Sequence, residues 1–145
     1  MEKIVELNLN GINYTIYGTV RGLKSESMDV ESIISGKNFD LIMLGISKED
    51  LEGLKKYIQE PFEVDLSDYE IMYGMKLKEF GEVKMPVPSF TTALRIAIER
   101  NIPVEAIDMD EKEYSDLYVK EITTFQLLRH SLRKGKLWDM NFKAK

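Results

Sequence analysis

One nearly unbroken apolar segment, 39–46, constrains the fold of this chain more than any other feature of its sequence. The segment has the length of a β-strand. It lacks the alternation of apolar and polar residues that is typical of a strand with one solvent-exposed face. Such strands are usually covered on both faces, as in parallel sheets. A second short strand is predicted over 102–107, beginning at a Pro that an edge position tolerates. The two strands together predict an α/β fold.

The start of the chain predicts a β-hairpin. Apolar residues alternate imperfectly with polar ones over 3–9, and they recur over 12–17. Asn10-Gly11 stands between the two segments and supplies the positive φ angles that a two-residue hairpin turn requires. We therefore expect the fold to open with two antiparallel strands.

Helices are predicted wherever a start signal is followed by apolar residues at helical spacing. Three of them begin at Ser25 or Ser27, Ser47 and Ser67, and end near Gly36, Pro61 and Gly81. A fourth is predicted from Phe90 to Asn101, after Pro86 and Pro88 break the chain. From Tyr114 to Leu132 the apolar residues fall on one stripe, which predicts a single long C-terminal helix ending near Gly135. Residues 135–145, with Leu137, Trp138, Met140 and Phe142, are interpreted as a docking tail.

These elements predict one α/β domain over 1–145. Its expected architecture is a small mixed sheet that opens with a β-hairpin, with helices on both faces and a long C-terminal helix. A chain of 145 residues is long enough to bury a substantial core by itself.

Composition removes several classes of function. The chain has no Cys, which excludes disulfides, thiolate metal sites and a cysteine nucleophile. No signal peptide or bilayer-spanning segment is evident, so a cytoplasmic protein without membrane contact is expected. A net charge of −5 argues against nucleic acid as a partner, although the segment 129–145 is basic. The high charge and the scarcity of Gln also fit a thermophilic source.

The loop Gly18-Thr19-Val20-Arg21-Gly22, at the end of the second strand, is the first candidate site. Backbone donors, a hydroxyl and a guanidinium are the groups that hold an anion or a carboxylate. The loop matches neither the P-loop nor the dinucleotide-binding motif. A plain turn with an exposed Arg21 is the structural alternative.

Asp108 and Asp110, at the end of the last predicted strand, form the second candidate site. Two carboxylates two residues apart can share a divalent cation, or act as acid and base if their environments differ. The alternative is structural, because Asp110 and Glu113 also have the spacing of a capping box that would start the last helix. His130 is the only His, and we interpret it as a packing residue near a helix C-terminus.

The order of these motifs resembles the TraB (pheromone-shutdown) family, which is related to a wider group of metal-dependent hydrolases. The similar segments extend from about Lys3 to Arg129, and they are Gly18-Thr19-Val20-Arg21, Ser25 with Ser27, 39–44, Phe90 with Ala93 and Ala97, and Ile107-Asp108-Met109-Asp110. The resemblance implies a TraB-like scaffold for this chain.

The chain departs from the family pattern at the positions where the family carries its charged and metal-ligating residues. Arg21 stands where the family has His, Leu44-Gly45 where it has a strand-end Glu, Ser89 where it has an acid, and Met109 where it has Arg. A site without the imidazole and the strand-end carboxylate has too few ligands for a catalytic metal. The resemblance therefore implies a shortened member with a degenerate active site.

Three functions follow as hypotheses, and no catalytic residue is assigned. The first is a non-catalytic domain that binds an anionic small molecule or regulates another protein, with no cofactor. Its candidate ligand-binding residues are Gly18, Thr19, Arg21, Ser25, Asp108 and Asp110. The structural alternative is that Arg21 and Asp108 form an ion pair with each other and bind no ligand.

The other two functions use different parts of the chain. A divergent metal-dependent hydrolase would hold Mg²⁺ or Mn²⁺ with Asp108 and Asp110. A protein-interaction module would bury the apolar face of its C-terminal helix in a second copy, as a homo-oligomer, or in another protein.

Overall fold

A computed structural model describes residues 3–137, and side chains through residue 132. The strands are β1 (Ile4–Leu9), β2 (Ile12–Tyr17), β3 (Ile42–Leu44) and β4 (Val104–Ala106). The helices are α1 (Glu26–Gly36), α2 (Lys48–Gln59), α3 (Asp68–Leu77), α4 (Pro88–Arg100), α5 (Glu111–Glu121) and α6 (Thr124–Leu137). This is a mixed α/β structure, as the sequence predicts.

The opening hairpin is confirmed, with its turn where the sequence places it. Asn10 and Gly11 have φ angles of 53° and 82°, the pair of positive values that a type I′ turn requires. The turn sets the register, so that Leu9 pairs with Ile12 and Ile4 pairs with Tyr17.

The strands form two separate sheets, and the expectation of one small mixed sheet is wrong. β1 pairs with β2 in an antiparallel sheet, while β3 pairs with β4 in a parallel sheet of its own. β3 has only three residues, because the chain turns at once beyond it and Ile46 N donates 2.8 Å to Leu44 O. Polar contacts of Lys3 and Tyr17 with Glu26 on α1, and of Glu6 with Lys37, join the hairpin to the rest of the molecule. Tyr17 also packs against the core.

Capping explains where the middle helices begin. Ser47 Oγ accepts from Asp50 N at 3.0 Å at the start of α2, and Ser67 forms a full capping box with Glu70 at the start of α3. Pro88 occupies the first turn of α4, and Asn101 ends that helix in the left-handed conformation. These boundaries match the sequence-based predictions closely.

The predicted long C-terminal helix is instead two helices, and residues 138–145 of the predicted docking tail lie outside the described residues. Ile122 is extended, with φ −103° and ψ 116°, and Thr123 starts a new helix. The amide of Thr123 donates 2.8 Å to Gln126 Oε1, and Thr123 Oγ1 accepts from the amide of Gln126. This reciprocal cap replaces the missing backbone bonds at the break, where three consecutive β-branched residues also favour helix weakly.

The core lies where α1, α2 and α4 meet the β3–β4 sheet. α4 packs along α1 and contacts both α2 and β3. Ala97 and Leu94 of this helix, at 0% and 1% exposure, are the most deeply buried apolar residues among those described. Leu94 packs in one cluster with Val30, Ile34, Leu44, Ile46, Leu51, Leu54, Ala93 and Ile96. Among the described helices, none has the length and apolarity needed to cross a bilayer.

Candidate functional site

The loops that follow β2, β3 and β4 meet at one place, as the sequence predicts for strand ends. Arg21 Nη2 donates 2.7 Å to Gly45 O, which joins the first loop to the second. The amide of Asp108 donates 3.1 Å to Ile46 O, which joins the second loop to the third. The candidate residues Arg21 and Asp108 therefore lie on loops that contact the same short segment after β3.

Arg21 is held by two contacts that need no ligand. Besides its bond to the Gly45 carbonyl, the guanidinium lies 5.4 Å from the ring centroid of Phe90, in a cation–π contact. Within the described residues it forms no ion pair with Asp108, so the structural alternative of such a pair is absent there. The guanidinium is exposed and has five N–H donors, of which the carbonyl uses one.

The other residues of the first loop turn toward the hairpin or solvent. The amide of Gly18 donates 2.8 Å to Lys3 O, which closes the base of the hairpin. Thr19 is half-buried, and its hydroxyl forms no hydrogen bond of normal geometry, although it helps to lower the pKa of Glu26. Ser25 precedes α1 and its side chain makes no capping bond. These three residues do not form one ligand shell with Arg21.

Asp108 and Asp110 are both engaged by the backbone around them. Asp108 Oδ1 accepts from Met109 N at 2.8 Å. Asp110 Oδ1 accepts from Glu113 N at 2.8 Å, and the amide of Asp110 donates back to Glu113 Oε2 at 3.2 Å. The capping-box alternative for Asp110 is thus confirmed, and it explains why α5 begins there.

An acidic cleft of about 310 Å³ lies beside these two aspartates. The first turns of α2 and α5 form its walls, and its lining residues are Ser47, Glu49, Asp50, Asp108, Met109, Asp110, Glu111 and Tyr114. Five carboxylates and no basic side chain give it a negative potential, which disfavours an anionic ligand. Among the described residues, no three His, Asp or Glu side chains converge closely enough to hold a metal ion.

The most tightly organised polar cluster was not found from the sequence. Glu26, the first residue of α1, is 1% exposed. Its Oε1 accepts from Lys3 Nζ at 2.8 Å and its Oε2 accepts from Tyr17 OH at 2.5 Å. Asp29 joins from the same helix, at 3.1 Å from Tyr17 OH and 3.4 Å from Lys3 Nζ. The only sequence signal was an acid in the first turn of a helix.

Burial and the contacts within this cluster shift the pKa values of Glu26, Lys3 and Tyr17. Burial alone would raise the pKa of Glu26, but the hydrogen bonds from Lys3 and Tyr17 outweigh it and the pKa is lowered. The hydrogen bond to Glu26 raises the pKa of Lys3. Burial, together with the two adjacent carboxylates, raises the pKa of Tyr17. At neutral pH Lys3 and Glu26 are both charged, and their ion pair joins the hairpin to α1.

A second cleft, of about 570 Å³, lies between the hairpin and the segment after α1. Its side chains are largely polar and several bond to each other. Asn8 Nδ2 donates 2.6 Å to Asn13 Oδ1, and Lys37 forms an ion pair with Glu6. We therefore interpret this cleft as a structural junction between the hairpin and the segment after α1.

The last two helices form an exposed arm, defined here as α5 and α6. Every residue of 111–121 and of 124–132 is exposed, and none of these residues belongs to the core cluster. Tyr114, Leu117 and Tyr118 share one side of α5, while Phe125, Leu128 and Leu132 share one side of α6. We call these six residues the apolar stripe. Its exposure is unusual for side chains of this size.

One face of the hairpin is a second apolar surface. Residues paired across the strands share a face, and one face consists of Val5, Leu7, Leu9, Ile12, Tyr14 and Ile16. Four of these six are exposed in the chain. This face carries no charged side chain.

No family model, curated protein sequence or solved structure matches this chain.

Proposed function

We propose that this chain is a protein-interaction module that self-associates through its arm. The observation that carries the proposal is the exposure of the whole apolar stripe, on two helices whose described side chains are all exposed. Isolated helices shorter than about 12–15 residues are marginal in water. α5 has 11 residues and α6 has 14, so both need packing from outside to be stable.

A second copy of the chain is the partner that the charges of the arm favour. α5 has four acids and two bases, whereas α6 has four bases and no acid. An arm with opposite charges on its two helices is complementary to another arm of the same sequence. Burial of a Leu or Phe side chain contributes roughly 1.5–3 kcal/mol, so even part of the stripe would supply a useful driving force.

The test uses one substitution on the stripe and a matched one beside it. Leu117→Asp places a charge in the stripe, and we expect it to leave the chain monomeric at concentrations where the wild type associates. Val119→Asp makes a similar change on the same helix but off the stripe, at a residue that is 80% exposed. It should leave association unchanged. Sedimentation equilibrium measures both.

Helix content supplies an independent readout of the same proposal. Because the arm helices are marginal alone, far-UV ellipticity of the wild type should strengthen as protein concentration rises. The Leu117→Asp variant should show no such dependence. A wild type that stays monomeric with constant ellipticity up to millimolar concentration would contradict the proposal.

Anion binding at Arg21 is a second candidate function, on a TraB-like scaffold with a degenerate active site. The observation that favours it is the guanidinium itself, which Gly45 O and Phe90 hold in place while four of its donors have no bond within the described residues. The acidic cleft nearby weighs against it. The regulatory role and the TraB relationship remain predictions, as does a hydrolase that holds Mg²⁺ or Mn²⁺ at Asp108 and Asp110.

Inorganic phosphate is the probe for this second candidate. Phosphate at 100 times its dissociation constant should add about 2.7 kcal/mol to the free energy of unfolding. The resulting rise in Tm should disappear in Arg21→Ala and persist in Arg95→Ala, which removes an exposed Arg that pairs with Glu99 on α4. An equal rise in all three proteins would show that Arg21 does not bind the anion.

A further inference from the structure

We infer that two copies pair about a two-fold axis, with α5 of each copy lying antiparallel against α6 of the other. This inference rests on the proposed self-association and adds the arrangement of the helices. In such an interface the same contact occurs twice, and the assembly closes as a dimer. The charge, the position of the charges and the length of the helices each support it.

Net charge selects which helices meet. α5 has a net charge of −2 and α6 a net charge of +4, with His130 taken as neutral. Pairing α6 with its own copy would bring eight bases together without an acid, and pairing α5 with its own copy would also juxtapose like charges. Only the crossed pairing of α5 with α6 of the other copy is attractive in both of its contacts.

The distribution of charge along each helix selects the antiparallel direction. The acids Asp110, Glu111 and Glu113 cluster at the start of α5. All four bases of α6 come after its first five residues, which are uncharged. Antiparallel packing places the acidic start of α5 beside the basic end of α6, and parallel packing would place it beside the uncharged start. Antiparallel packing also aligns the two helix dipoles favourably.

The lengths of the two helices match in this arrangement. At a rise of 1.5 Å per residue, α5 and α6 are about 17 and 21 Å long, so each can cover the other along nearly its whole length. The connector is only Ile122 and Thr123. The apolar stripe is exposed on both α5 and α6. The arm of one other copy could therefore cover apolar surface on both helices.

Two charged residues lie on or beside the stripe, where the opposite charges of the two copies should meet. Glu121 lies three and four residues after Tyr118 and Leu117, on the same side of α5. Arg129 lies four residues after Phe125 and three before Leu132, beside the stripe on α6. In antiparallel packing the end of α5 faces the first half of α6, where Arg129 is the one Arg or Lys. Glu121 then lies within about 8 Å, along the helix axes, of Arg129 in the other copy, a distance that the two long side chains can span. Asp116 lies away from the stripe.

Charge reversal tests this arrangement with the full chain. Glu121→Lys makes both crossed contacts repulsive, and Arg129→Glu does the same from the other side. We expect each variant to raise the dissociation constant of the dimer about tenfold, because every lost attraction and every new repulsion counts twice. An equimolar mixture of the two variants should form a heterodimer with nearly wild-type affinity, measured by sedimentation equilibrium and native mass spectrometry. Asp116→Lys is the matched control, and it should associate like the wild type.

Failure of the geometry and failure of the proposed function give different results. If the two charge variants associate like the wild type while Leu117→Asp is monomeric, the stripe packs on an uncharged surface such as the apolar face of the hairpin. The crossed pairing is then wrong and the interaction module stands. A mixture that stays as weak as its components also overturns the pairing. A wild type that never associates removes the proposed function, and the inference with it.

Discussion

Replacing Leu94 by Ala is expected to lower the free energy of unfolding by about 3 kcal/mol, because the cavity left behind cannot collapse. Leu94 is 1% exposed and lies in α4, the helix that packs on α1 and on the β3–β4 sheet. Its neighbours come from four different elements, so no single movement can fill the space. The loss should reduce Tm by roughly 5 to 10 °C.

Ile98→Ala is the matched control for this change. Ile98 lies one turn further along α4 and is 53% exposed. The same kind of truncation there removes little buried surface, and Ala favours helix slightly more than Ile does. Urea unfolding should therefore place Ile98→Ala within about 0.5 kcal/mol of the wild type. Equal losses for the two variants would mean that α4 is not the centre of the core.

Local signals in the sequence predicted the local structure well. The Asn10-Gly11 turn and the caps at Ser47 and Ser67 each depend on backbone conformations within a few residues. Such conformations are decided by the residues themselves, so a single sequence contains the information. The capping box of Asp110 belongs to the same class, and it was recognised as the structural alternative to a metal ligand.

The break after α5 was also encoded locally, but the apolar stripe concealed it. Thr123 and Gln126 have the spacing of a capping box, the same signature that identified the start of α3. Apolar residues continue at helical spacing across the break, because the connector of two residues shifts the pattern only slightly. Periodicity alone therefore predicted one long helix where the caps predict two.

Long-range arrangement was the part that the sequence could not provide. Nothing in the hairpin or in 39–46 indicates that their strands pair only within their own sheets, since pairing between strands depends on the packing of the whole chain. The contact of Arg21 with Gly45 O and Phe90 is equally non-local. The loops were predicted to meet, but the partner of the guanidinium was not.

Glu26→Ala is expected to cost about 2 kcal/mol at pH 7, the usual range for removing hydrogen bonds that a charged group makes in a buried position. The carboxylate is buried and bonds to Lys3 and Tyr17, which tie the hairpin to α1. The lost stability is smaller than for a fully buried ion pair. Lys3 is 46% exposed, so its ammonium group is solvated by water once Glu26 is removed. Asp29→Ala is the matched control on the same helix. Asp29 is half exposed to solvent, so that change should cost less than about 0.5 kcal/mol.

The dependence on pH separates the charge of Glu26 from its packing. Folding lowers the pKa of Glu26, so its contribution is complete above the unfolded pKa of about 4.3 and is lost as the pH falls through the folded-state value. Folding raises the pKa of Lys3 and of Tyr17, so their contributions are complete below about pH 10 and are lost as the pH rises. The difference in unfolding free energy between the wild type and Glu26→Gln should therefore be constant from about pH 5 to pH 9 and shrink toward pH 3. Urea titrations across this range measure it. A difference that is the same at pH 3 and pH 7 would mean that Glu26 acts through its shape, and that its ion pair with Lys3 adds nothing to the fold.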